Sequence, residues 1–159
     1  MEYKEHFFME LREIYKQIDL SEFYTKSKDG YLFSEQGIKI IENGRLIFQM
    51  IYKCKFEGLL SLSDWDIKDP YILLFRDYII DGFSPDYFSE LGMFRYISNI
   101  APTASLSDRL YYLFVYRAFI DISKNCNIAS YMEYVKSILP APLADMVLTD
   151  KEIEKKLAI

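Results

Sequence analysis

Apolar positions along the chain recur at helical spacing for most of its length. Phe7, Leu11, Ile14, Tyr15 and Ile18 follow the i, i+3, i+4, i+7 rule, which predicts an amphipathic helix over residues 3–18. Ser34-Glu35-Gln36-Gly37 reads as a helix start, with Ser34 as the cap and Glu35 at the positive end of the macrodipole. Beyond it Ile40, Ile41, Ile47, Phe48, Ile51, Tyr52, Phe56 and Leu59 keep helical spacing. Asn43-Gly44 interrupts that run, so the expectation is one long helix with a soft point or two helices meeting at Gly44. Gly58 is a second soft point, and Leu59, Leu60 and Leu62 read as core.

Later starts and stops are sharper. Asp69-Pro70 and Ser84-Pro85 each pair a cap with a proline at the first helical position. Gly82 closes the helix between them, and Gly92 weakens the centre of the helix after Pro85. Ala101-Pro102-Thr103 is a linker. Ser107-Asp108 then opens Arg109–Ile122, apolar almost all round and hence the candidate for a central buried helix. Ser130–Leu139 is a further helix stopped by Pro140 and Pro142, and Thr149 with Glu152 has the capping-box form. Asp29-Gly30 is a hairpin signal, but its flanks are too short to prefer strands. The expected fold is all-α: a compact helical bundle of about seven or eight helices with short loops, in one domain over residues 1–159.

Composition changes this picture in one respect. The chain has 14 Tyr, 12 Phe and 1 Trp, more aromatic bulk than an ordinary core needs. These side chains are expected to fill an aromatic core, with tyrosine hydroxyls reaching its edge, or in part to form a partner surface, where Tyr, Phe and Met are enriched. Net charge is −5 with the two signs interspersed, so no basic face is offered and nucleic-acid binding is not expected. No apolar run approaches the ~20 residues of a membrane span. Glu2, Lys4, Glu5 and His6 leave no room for the apolar stretch of a secretory signal. Cys54 and Cys126 lack CxxC spacing and read as free thiols in a reducing compartment. A cytoplasmic location is expected.

Candidate chemistry is sparse. His6 is the only histidine, so a Ser-His or Cys-His pair would have to use it, and its helix offers no distinctive neighbourhood. No nucleophile elbow or phosphate loop is present. Asp64, Asp66 and Asp69 suggest hard-cation ligation but lack the EF-hand glycine and glutamate, so Asp69 is expected to cap a helix and the others to solvate a loop. Arg109 and Arg117, eight residues apart, lie near one helix face, where they hold an anion or pair with acids. No catalytic residue, metal ligand or cofactor is assigned.

The stretch from Lys55 to Leu91 resembles the cytoplasmic segment of flagellar motor stator subunits of the MotA type. The matching motifs are Glu57-Gly58-Leu59-Leu60-Ser61-Leu62, then Asp69-Pro70-Tyr71-Ile72, then Ile79-Ile80-Asp81-Gly82-Phe83-Ser84-Pro85-Asp86. The resemblance implies contact with a rotor through charged residues. The family's basic contact residue falls on Lys55, and its acidic one falls on Ser63, where the charge is lost and Asp64 is adjacent. The family's four membrane-spanning helices have no counterpart here.

The leading expectation is therefore a non-enzymatic protein–protein interaction module that docks on a larger assembly, motor-related if the resemblance holds. Lys55, Glu57, Asp64, Trp65 and Asp66 are its candidate binding residues. The alternatives are a small-ligand sensor or enzyme with a pocket near Tyr116, Arg117 and Asp121, and a homo-oligomeric structural protein.

Overall fold

A computed structural model describes residues 3–149. Within them the fold is an all-α bundle with one small hairpin. The helices are α1 (Tyr3–Gln17), α2 (Glu35–Glu57), α3 (Pro70–Ile80), α4 (Pro85–Arg95), α5 (Leu106–Asn125), α6 (Ile128–Ile138) and α7 (Ala141–Leu148). The Thr149–Glu152 capping box runs into residues outside those described.

The caps explain why the helices start where they do. Ser34 Oγ accepts from Gly37 N, Asp69 from Tyr71 N and Ile72 N, and Ser84 from Tyr87 N. In each case a side-chain oxygen satisfies a main-chain donor that the helix cannot. For α5 the cap is Ser105, which accepts from Asp108 N, so the helix begins before the expected Ser107-Asp108 start. Asn127 caps α6.

α5 is the axis of the bundle. Leu110 to Tyr116 are buried in succession, followed by Ala118, Phe119, Ile120 and Ile122. A helix buried on all sides needs neighbours on all sides, and α1, α2, α3, α4 and α6 pack against it while α7 packs on α2 and α6. The core is one continuous cluster.

The tyrosine hydroxyls do not stop at the core's edge. Tyr112 donates to Gly92 O (2.7 Å), Tyr116 to Ser89 O (2.7 Å), Tyr131 to Gly44 O (2.8 Å) and Tyr134 to Phe114 O (2.8 Å). A helical carbonyl has a second lone pair free after its i+4 bond. These hydroxyls use it, which allows a polar atom to be buried without leaving it unsatisfied.

Of the two outcomes expected for α2 the single helix holds, and the expectation for the hairpin changes. α2 is a single helix through Gly44, because that glycine is a packing position: a Cβ there would lie 2.8 Å and 3.0 Å from the Val147 methyls of α7. The Asp29-Gly30 signal does form a hairpin, with β1 (Tyr24–Ser27) antiparallel to β2 (Gly30–Phe33) and Tyr24 opposite Phe33. Short as the strands are, ring contacts of Tyr24 with Tyr31 (5.5 Å) and Phe33 (6.5 Å) support them. Ser34 N bonds to Phe23 O (2.9 Å) and closes the base.

The cysteines are not free. Cys54 near the end of α2 and Cys126 at the end of α5 are joined by a disulfide, with Cα atoms 6.2 Å apart across 72 residues of sequence. The packing of α2 against α5 brings together two thiols that no local motif relates. Among the described residues, no helix is long and apolar enough to cross a membrane.

Candidate functional site

The elbow after α2 is built around Gly58. This residue takes φ +88°, which a side chain would disfavour, and its N–H caps α2 by bonding to Cys54 O at 2.8 Å. The chain then tightens into a short 3₁₀ segment over Leu59–Asp64. Ser61 Oγ bonds back to Gly58 O (2.7 Å) and Ser63 Oγ to Leu60 O (2.8 Å), which sets the turn from within. Arg76 of α3 donates to Trp65 O (2.9 Å) and ties the elbow to the bundle.

This turn separates Leu59 and Leu60 from Leu62, against the expectation that all three are core. Leu62 is fully buried, whereas Leu59 is 41% and Leu60 75% exposed, next to Phe56 at 67%. The helical pattern ends at Gly58, so spacing of 3.6 residues no longer says which side of the chain faces inward. The result is an outward apolar knuckle of Phe56, Leu59 and Leu60.

Four of the five candidate binding residues, Lys55, Glu57, Asp64 and Asp66, are exposed around this knuckle, and Trp65 is half-buried. Their organiser is Lys53, which the sequence reading passed over. Lys53 Nζ lies 3.3 Å from Asp64 Oδ2 and 3.7 Å from Glu57 Oε2, and 5.7 Å from the centre of the Trp65 ring. Glu57, Asp64 and Trp65 are thus gathered on one ammonium group. The Lys53–Glu57 spacing of i, i+4 on a helix is the one local sign of it in the sequence. Lys55 forms no ion pair with any described residue; it lines a cleft of about 350 Å³ with Cys54, Gly58, Leu59 and residues 122–126. No bonded contact places Asp66 with the others. The Trp65 indole N–H is buried with no acceptor among the described residues, an arrangement that costs about 1–3 kcal/mol. Ser63, on the position where the stator pattern has an acid, is exposed beside Asp64.

The remaining candidates are occupied structurally. Asp69 caps α3, and among the described residues no three His, Cys, Asp or Glu side chains are placed to share a metal. His6 Nε2 is 3.8 Å from Glu10 Oε1 on α1. Arg109 donates to Ala104 O (3.1 Å), and Arg117 lies 3.7 Å from Asp121. Burial pushes the Asp121 carboxyl above the usual carboxylate range, against the pull of Arg117 and of Lys124 and Lys4. Arg117 sits between two surface clefts of about 160 and 470 Å³, one shared with Tyr116 and the other with Asp121. Its head group is engaged by Asp121 and stacks near Phe7 (6.0 Å), and the Tyr116 hydroxyl is already bonded to Ser89 O. Arg117, Asp121, Ser130, Glu133 and Ser137 supply the polar lining of the larger cleft.

Comparisons with protein-family models, with curated proteins and with solved structures gave no match.

Proposed function

We propose that the protein is a non-enzymatic interaction module that docks on a subunit of a larger assembly through the elbow at residues 55–66. The observation that carries this reading is the exposure of Phe56 at the end of α2 and of Leu59 and Leu60 on the turn after it, which Gly58, Ser61 and Arg76 hold. Large apolar side chains presented on a pre-formed turn give up little conformational entropy on binding, and interface cores favour such anchors. Lys55 beside the knuckle supplies a positive charge to meet an acid on the partner. Exposed Glu57, Asp64 and Asp66 disfavour partners with a negative rim, with Lys53 offsetting the first two. The partner surface is thus an apolar hollow with mixed charge at its edge. The stator resemblance supports the same face: its basic contact position falls on Lys55, and the rotor of a flagellar motor is the assembly it suggests.

The test is capture with a photo-crosslinking residue at position 60 in the native lysate, followed by identification of the adduct. One defined product is expected, lost with Phe56→Glu or Lys55→Glu and retained with Lys26→Glu on the distant hairpin. Equal capture by all these variants would remove the elbow from the reading. A product consisting of two copies of this chain, with a dimer by light scattering, would replace it with self-association.

A further inference from the structure

The Cys54–Cys126 bond sits where it can govern the elbow. Cys54 O is the acceptor for the Gly58 N–H that ends α2, so the cross-link anchors the residue on which the elbow's first bond depends. At its other end Cys126 has φ 42° and ψ 44°, and it is the only residue other than glycine with positive φ among those described. A side-chain-bearing residue holds this left-handed conformation at a cost, and here it forms the turn between α5 and the Asn127 cap of α6. The disulfide therefore joins the start of the elbow to the α5–α6 turn. Both sulfur-bearing residues line the 350 Å³ cleft, together with Lys55 and Lys124. Lys55 and Lys124 in the lining give the cleft a positive charge that attracts an anionic reagent.

We propose that Cys54 and Cys126 form a reversible thiol–disulfide site whose exchange partner is a small anionic thiol entering this cleft, and that its redox state sets the order of the elbow. In the reductive direction a thiolate of the small molecule attacks one sulfur. The Cys54–Cys126 bond breaks, a mixed disulfide forms, and the displaced cysteine leaves as thiolate and takes up a proton. A second small thiol cleaves the mixed disulfide. The net change is one protein disulfide and two small thiols converted to two protein thiols and one small disulfide, with two electrons passing to the protein. The consequence for docking rests on the reading of the elbow as the binding face; the exchange itself does not.

The experiment uses the full chain in a series of reduced and oxidised glutathione mixtures without denaturant. Alkylation and intact mass count thiols, and hydrogen exchange reads the amides of residues 55–62. Two alkylated cysteines in the reducing mixtures and none in the oxidising ones are expected, with helical circular dichroism unchanged. Elbow exchange should be about tenfold faster when reduced, equivalent to about 1.4 kcal/mol of easier local opening. Cys126→Ser should show the reduced rate in every mixture. The proposal is overturned by reduction that requires denaturant or abolishes the helical signal. Elbow exchange equal in both states, or still following the mixture in Cys126→Ser, overturns it equally. None of these readouts involves a partner, so their failure leaves the docking proposal standing, and a failed capture at position 60 leaves this one standing.

Discussion

The ring of Tyr116 occupies the space that a side chain at residue 92 would fill. A Cβ built on Gly92 lies 2.5 Å from Tyr116 Cδ1, and the neighbouring Tyr112 hydroxyl donates to the Gly92 carbonyl at 2.7 Å. Gly92 thus lets α4 approach α5 closely enough for both tyrosines to pack and bond. Replacing it by alanine improves helix propensity by about 1 kcal/mol but forces a fully buried ring to move, at about 1–3 kcal/mol. Gly92→Ala should be destabilising, by up to about 2 kcal/mol net, seen as a lower urea midpoint at unchanged slope. A midpoint equal to or above the parent's would mean that the close approach is not limiting.

The same logic applies between α2 and α7, with a compensating change available. Gly44→Ala places a methyl against Val147 Cγ2, 2.8 Å away, and should destabilise by up to about 2 kcal/mol once the gain in helix propensity is counted. Val147→Ala removes the obstructing methyls and costs stability by itself through a cavity. The double variant should lose less than the sum of the two, with a coupling of at least about 0.5 kcal/mol in a double-mutant cycle. Additive losses would contradict the contact.

At the elbow, neighbouring leucines should respond in opposite ways. Leu60 is 75% exposed and Leu62 is fully buried. Leu60→Ser should change stability by less than about 0.5 kcal/mol, while Leu62→Ala should cost about 2–5 kcal/mol. Thermal unfolding of the two single variants decides the matter. A large loss for Leu60→Ser would put that side chain in the core and take away the apolar knuckle.

Wherever the chemistry was local, the sequence made the structure legible. Ser34, Asp69-Pro70 and Ser84-Pro85 act within three residues of themselves, so their helix starts could be placed directly. The unbroken apolar run of α5 announced its own burial. Features that depend on a distant partner were not legible. Gly44 reads as a weak point until Val147 is placed against it. Strands as short as Tyr24–Ser27 and Gly30–Phe33 draw support from cross-strand rings that only pairing creates. The Cys54–Cys126 bond spans 72 residues. At the candidate site the exposed charges could be named, but not the outward turn of Leu59 and Leu60, because periodicity loses its meaning once Gly58 ends the helix.

The buried tyrosines make the fold sensitive to alkali. Burial raises the hydroxyl pKa of Tyr111, Tyr112, Tyr116, Tyr131 and Tyr134 above the ordinary value of 10.0, with the nearby Asp69 charge adding to the effect at Tyr111. Each neutral hydroxyl keeps its proton in the folded chain at a pH where the unfolded chain has lost it. The folded state therefore binds more protons above pH ~10, and stability falls as pH rises. Below that value both states are protonated and the contribution is fully present. Each such tyrosine tilts the balance by up to about 1.4 kcal/mol per pH unit once the unfolded hydroxyl has titrated. Acting together, the tyrosines predict a cooperative collapse above pH ~10 rather than a gradual one. Tyrosinate absorbance should rise in a steep step that coincides with loss of helical circular dichroism. Tyr131→Phe should move the step to higher pH, although loss of the bond to Gly44 O lowers stability at neutral pH. A smooth titration of every tyrosine near pH 10 with the helices intact would show that these hydroxyls are not held inside the core.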